Sequence, residues 1–182
     1  MSIFSIDVEA DGPCPGLYSM VSFGAIRVDR ELTTSFYGKL APISDKWIPD
    51  ALAVSGFTRE EHEKFENPIV VLTQFLEWLK ASNENDRPIM ISDNPAFDWQ
   101  FMNYYLHAYT GSNPMGHSAR RIGDLYSGLR GKFNASGRDW HKLRTTKHTH
   151  NPVDDAKGNA EALIAMCDKW NLVIPGVAPL VK

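Results

Sequence analysis

The spacing of apolar residues changes near residue 41 of this 182-residue chain, from a pattern typical of strands to one typical of helices. Before that point, runs rich in Phe, Val, Ile, Tyr and Thr cover residues 3–8, 21–28 and 33–40. Residues 29–31 separate the second run from the third and are enough for a hairpin turn. The first forty residues therefore predict three strands in an antiparallel arrangement.

After residue 41, apolar residues recur every three or four positions, which is the helical period. One such stripe follows Pro68 and consists of Ile69, Leu72, Leu76 and Leu79. Two later helices are predicted where an asparagine cap precedes a proline, at residues 94–95 and 151–152. The short apolar run at 88–92 predicts a buried fourth strand, and 122–126 is either a weak fifth strand or the start of a helix.

This order of elements predicts an α/β fold with a mixed five-stranded sheet and helices on both faces. Three antiparallel strands come first, and helix-linked parallel strands follow. The chain is 43% hydrophobic and has a net charge of −3, which excludes general disorder and fits one domain over residues 1–182. No apolar run approaches the ~20 residues that a membrane-spanning helix needs. The absence of a secretory signal and the presence of only two cysteines predict a reduced, cytoplasmic protein.

Basic residues are concentrated in one part of the chain. Residues 117–150 contain eight Lys or Arg and two Asp, so this segment carries a net charge of +6 in an otherwise acidic protein. Such a segment is either a solvated basic loop or a surface for a polyanion. Charge alone does not separate these two interpretations.

Two carboxylates stand at the end of the first predicted strand. Asp7 and Glu9 are two residues apart, so their side chains point to the same face. Neighbouring carboxylates repel each other unless a cation lies between them. The pair therefore predicts a cation site, although an Asp-x-Glu sequence is common by chance.

Three further residues stand at helix starts. Asp98 lies one turn into the helix that begins at 94–95, and Asp155 lies in the first turn of the last helix, five residues after His150. Taken singly, each acid could be a partner of a helix dipole, and the histidine could be an ordinary surface residue. Their order along the predicted layout is what makes a shared site the stronger hypothesis.

The combined motifs resemble those of the DEDDh 3′–5′ exonucleases, a group that includes ribonuclease T, oligoribonuclease and polymerase proofreading subunits. The matching segments are 7–9, 94–98 and 150–156, and 54–58 resembles the linker after the third strand in that family. The resemblance extends from about residue 3 to residue 170, which is nearly the whole chain. It implies a ribonuclease H-like fold.

The resemblance also implies a mechanism in which two divalent cations, Mg²⁺ or Mn²⁺, promote phosphodiester hydrolysis. Asp7, Glu9 and Asp155 would hold the first ion, and Asp7 would bridge to the second with help from Asp98. His150 would be the general base. The substrate would be the 3′ end of a single-stranded nucleic acid, which would lose one nucleoside 5′-monophosphate per cycle. Several family members are homodimers, so a homodimer is one assembly that the resemblance implies.

Alternative functions remain open at this stage. The resemblance favours RNA ends or short oligonucleotides as substrate, and DNA repair or proofreading is the alternative. A catalytically silent nucleic-acid-binding module on the same fold is another, although all four carboxylates and the histidine are present. A metal-dependent phosphatase lacks the expected nucleophile. One departure from the family pattern is Ala10, where the family usually has Thr or Ser.

Overall fold

The computed structural model describes residues 1–84, 86–135 and 137–177, with the backbone alone at residues 137 and 138. Within these ranges the strands are β1 Ile3–Ala10, β2 Met20–Arg27, β3 Ser35–Lys39, β4 Ile89–Ser92 and β5 Ala119–Arg121. The helices are α1 Pro49–Val54, α2 Arg59–His62, α3 Pro68–Ser82, α4 Pro95–Thr110, α5 Ile122–Arg130, α6 Gly137–His141 and α7 Pro152–Trp170.

The five strands form one mixed sheet in the order β3-β2-β1-β4-β5. Strands β1, β2 and β3 pair antiparallel, whereas β4 and β5 continue the sheet parallel to β1. This arrangement confirms the predicted α/β fold. Residues 122–126 form the start of helix α5, which was one of the two interpretations of this segment. The fifth strand consists of the three residues before it, Ala119–Arg121.

Helices cover both faces of the sheet. On one face, α3 and α4 pack against β1 and β2 around Phe4, Phe23 and Phe75. On the other face, α7 packs against the same two strands through small residues such as Ala156 and Ala160. None of the helices in the described residues is long and apolar enough to span a membrane.

Gly24 explains how closely α7 approaches the sheet. A Cβ atom at this position would lie 2.3 Å from the carbonyl oxygen of Pro152, the first residue of α7. Gly24 pairs directly with Asp7 of β1. The absence of a side chain on β2 therefore lets the start of α7 lie directly beside the acidic end of β1.

Candidate metal centre

Three carboxylates meet where β1 passes under the start of α7. Asp7 and Glu9 project from β1 toward α7 and are partly buried, and Asp155 in the first turn of α7 is only 1% exposed. Carboxylate oxygens of the three residues all lie within 4.8 Å of one another. The alternation of side chains along β1 and the asparagine cap of α7 are local features, so the sequence pattern was sufficient to predict this meeting.

Asp98 approaches the same place from α4. Strand β4 pairs with β1 only as far as Ser5, so the backbone of β1 beyond that point has no neighbouring strand on this side. The Oδ1 atom of Asp98 accepts a hydrogen bond at 3.1 Å from the backbone N–H of Val8, the residue between Asp7 and Glu9. Because β4 is short, Asp98 can bind the free backbone of β1 and lies beside the other three predicted acids.

The histidines lie on the segment that leads into α7. Asp155 accepts hydrogen bonds from the backbone N–H groups of Thr149 and His150, at 3.3 and 2.9 Å. His150 has a φ of +59°, a left-handed conformation that is uncommon for a residue with a side chain and often occurs at functional sites. The carboxylate of Asp155 thereby holds the turn that presents the His150 ring.

The two histidine rings have different carboxylate neighbours. His150 Nδ1 lies 3.7 Å from Glu9 Oε1, whereas His148 Nδ1 lies 2.7 Å from Asp155 Oδ1. The two rings are themselves 4.3 Å apart between centroids. The spacing of the sequence motif predicted that His150 belongs to the site. It did not predict the contact between His148 and Asp155, because that contact depends on the tight turn at residues 149–151.

Burial and mutual repulsion raise the pKa values of Asp7, Glu9 and Asp98. Burial is the main cause for Glu9, whose pKa rises to about 8 with further contributions from Asp155 and Asp98. Burial likewise raises the pKa of Asp98 to about 7. The pKa of Asp7 is raised well above its usual value by burial and then by Asp98, Glu9 and Asp155. Closely spaced carboxylates, three of which have raised pKa values, are a donor set that fits hard divalent cations.

These pKa values predict how the metal-free protein responds to pH. The acids bind protons more tightly in the folded state than in the unfolded state, so their stabilising contribution is complete below about pH 4 and lost as pH rises through 7 to 8. One pKa unit corresponds to about 1.4 kcal/mol. Between pH 5 and pH 8 Glu9 alone passes through about three pKa units, so at about 2–4 °C per kcal/mol we expect the Tm in a chelator to fall by about 8–16 °C.

Saturating Mn²⁺ should abolish this fall, because a cation that binds only the folded state favours the ionised carboxylates. Differential scanning calorimetry with and without Mn²⁺ measures the effect. In the chelator, Asp7→Asn should make the fall smaller, because it removes one of the charges that repel the others. A Tm that rises with pH in the chelator would contradict the described electrostatics.

One basic residue of segment 117–150, Arg144, has a structural role. Arg144 is 7% exposed, stacks over the Trp140 ring at 4.9 Å and donates a hydrogen bond to Asn159 of α7. Trp140 is itself buried, so it packs in the core and does not stack on a nucleotide base. The side chain of Arg138, in the same basic segment, lies outside the described residues.

Comparison with known proteins identifies a matching family and a related curated protein. The RNase T family model, described as exonuclease, matches residues 4–163. A curated protein named 3′-5′ DNA exonuclease Cap18, from Escherichia coli, is 36% identical over 177 residues. That alignment covers 91% of this chain and 90% of the relative.

Solved structures with low sequence identity share the fold. The nuclease domain of 3′hExo, described as a DEDDh family member bound to rAMP, has a TM-score of 0.70 and 16% identity, covering 91% of this chain and 90% of that one. Escherichia coli Exonuclease I in complex with a dA16 oligonucleotide has a TM-score of 0.66 and 16% identity. It matches 93% of this chain, which spans 41% of that longer protein.

Proposed function

The chain belongs to the RNase T family of exonucleases, within the DEDDh 3′–5′ group, and from this premise we propose that it removes nucleoside 5′-monophosphates one at a time from single-stranded 3′ ends. The observation that carries the proposal is the convergence of Asp7, Glu9, Asp98 and Asp155 beside His150. A catalytically silent module would have no need of four acids that destabilise one another. We also propose that residues 1–182 act as one exonuclease domain.

We assign the carboxylates to two divalent cations, with Mg²⁺ or Mn²⁺ as the candidates because oxygen donors suit hard ions. Asp7, Glu9 and Asp155 would hold one ion, and Asp7 with Asp98 would hold the other. Bound cations of this kind supply a lowered pKa of water and stabilise a leaving oxygen. The protein's own contribution is to hold these four carboxylates in place through β1, α4 and α7.

We assign His150 as the general base that takes a proton from the attacking water. Its ring is 49% exposed, so it can reach solvent and substrate, and it stands beside Glu9. An imidazole ring is the side chain that most often serves as a general base in enzymes. His148 is the second candidate, because its Nδ1 atom makes the shorter carboxylate contact, with Asp155.

We propose that the substrate is DNA in preference to RNA. The support is the 36% identical relative, which is named as a DNA exonuclease. The sequence-based preference for RNA ends or short oligonucleotides stays an untested alternative, and so does the homodimer. A cytoplasmic location also stays a proposal, and it agrees with the two free thiols, Cys14 and Cys167.

The test uses matched DNA and RNA strands in three forms: linear with a free 3′ hydroxyl, linear with a 3′ phosphate, and circular. We expect shortening of the free linear strand, stalling at the 3′ phosphate and no cleavage of the circle, because the site must accept a terminal hydroxyl beside its carboxylates. DNA should be degraded faster than RNA. Cleavage of the circular strand would contradict exonuclease action, and faster degradation of RNA would reverse the sugar assignment alone.

A further inference from the structure

A large open cavity lies at the carboxyl ends of β4 and β5, next to the candidate metal centre. Its volume is about 810 Å³, and its walls include Asp93, Arg121, Lys132, Phe133, Asn134 and Trp140. In sheets of this kind, ligands bind at the carboxyl ends of the parallel strands. The cavity therefore occupies the same edge of the sheet as the acidic end of β1, on the side toward β5.

Direct contacts link this cavity to the helix that carries Asp155. The Oδ2 atom of Asp93, in the cavity wall, lies 3.9 Å from Arg144 Nη2. Arg144 in turn donates its hydrogen bond to Asn159, one turn along α7 from Asp155. These contacts place the cavity wall beside the helix that carries Asp155.

The exposure of Phe133, in the wall of this cavity, is not explained by packing in the hydrophobic core. Its side chain is fully exposed (102%), the highest value among the large apolar side chains in the described residues. Burying a phenyl ring would stabilise a fold by about 2 kcal/mol, so an exposed one forgoes that contribution. A planar ring in solvent beside a cleft is the kind of platform on which a nucleotide base stacks.

The charges of the cavity suit a phosphate backbone. Lys132 is exposed, and Arg121 is half-exposed with an ion pair of 3.7 Å to the exposed Asp124. Two acids line the wall, Asp93 and the Asp124 that pairs with Arg121. Asp93 has a cationic neighbour in Arg144, and His141 Nε2 lies 3.1 Å from it. The surrounding segment 117–150 carries a net charge of +6. Positive side chains beside an exposed aromatic ring are typical of single-strand binding surfaces.

We propose that this cavity binds the part of the single strand on the 5′ side of the scissile nucleotide. One base stacks on Phe133, and the adjoining phosphates contact Lys132 and Arg121. This inference rests on the proposed function, because it takes the strand's 3′ end to be at the carboxylate cluster. It gives the enzyme an affinity that increases with strand length, separate from the contacts made by the terminal nucleotide.

The test compares kcat/KM for a dodecamer with kcat/KM for the shortest strand that the wild type hydrolyses, starting from a dinucleotide. Phe133→Ala should lower the ratio of these two constants about 5- to 100-fold, which corresponds to the loss of one base stack. Lys132→Ala should flatten the dependence of log KM on log salt for the dodecamer by about 0.7. The matched control is Val173→Ala, at the far end of α7 and 74% exposed, which should change neither quantity.

The outcomes separate this inference from the proposed function. If the wild type degrades both strands and Phe133→Ala leaves the ratio unchanged, the cavity is not a strand site and the exonuclease assignment stands. An equal loss on both strands would also overturn the inference, since it would place the effect at the catalytic centre. If the wild type degrades neither strand, the proposed function itself fails. Phe133 has no buried contacts, so an unchanged Tm is expected for its alanine variant.

Discussion

Asp7→Asn should abolish divalent-cation-dependent nuclease activity and leave the fold intact. The substitution keeps the shape of the side chain and removes the charge at the centre of the carboxylate cluster, where Glu9, Asp98 and Asp155 all raise the pKa of Asp7. Loss of charge stabilisation worth several kcal/mol corresponds to a rate reduction of about 10³ or more. Initial rates on a 5′-labelled strand measure the effect, and calorimetry monitors the fold.

Asp168→Asn is the matched control for this experiment, because it makes the same chemical change at the opposite end of α7. Asp168 forms a surface ion pair with Arg30 at 2.7 Å, and a solvent-exposed pair of this kind contributes little to stability. We expect its activity to equal that of the wild type. Substantial turnover by a folded Asp7→Asn variant would rule out the assignment of this residue to both cations.

His150→Ala should reduce turnover by about 10² to 10⁴, the usual contribution of a general base, and leave Mn²⁺ affinity largely unchanged. The carboxylates hold the ions in this account, so removing an imidazole ring affects proton transfer and not metal binding. The acidic limb of the pH–rate profile should flatten or shift in the same variant. Steady-state kinetics across pH and calorimetric titration with Mn²⁺ measure the two effects separately.

His148→Ala provides the matched comparison, since the two rings are neighbours and each faces a different carboxylate. We expect this variant to lose much less turnover, because the His148 ring orients Asp155 through a 2.7 Å contact and does not take the proton. Its pH–rate profile should keep its acidic limb. If His148→Ala abolished turnover while His150→Ala retained it, the third motif would have been assigned to the wrong histidine.

Local rules were sufficient to predict much of the fold and the acidic cluster. Alternation along β1 places Asp7 and Glu9 on one face, and the cap at Asn151–Pro152 places Asp155 in a first turn. A fifth strand was predicted with residues 122–126 as its candidate, and its position at β5 was missed because β5 is three residues long, is partly exposed, and contains two arginines. Its strand conformation comes from pairing with β4, which a sequence window does not contain.

The surroundings of the cluster depended on tertiary contacts. Residue type alone does not decide whether Trp140 stacks on a base or packs in the core, and it gives no sign that Arg144 bridges Trp140 and Asn159. Each of these positions follows from how α6 and the segment after it lie on α7. Phe133 was likewise indistinguishable from a core residue by type, because exposure is a property of the folded chain.

Product analysis tests the central claim most directly. A single strand of DNA with a free 3′ hydroxyl is incubated with the wild type and Mn²⁺ or Mg²⁺, and the released material is identified by mass spectrometry over time. The account predicts nucleoside 5′-monophosphates in the order of the sequence read from the 3′ end, and no release when a chelator removes the cation. Release of oligonucleotides, of nucleoside 3′-monophosphates, or of nucleotides from the 5′ end would contradict it.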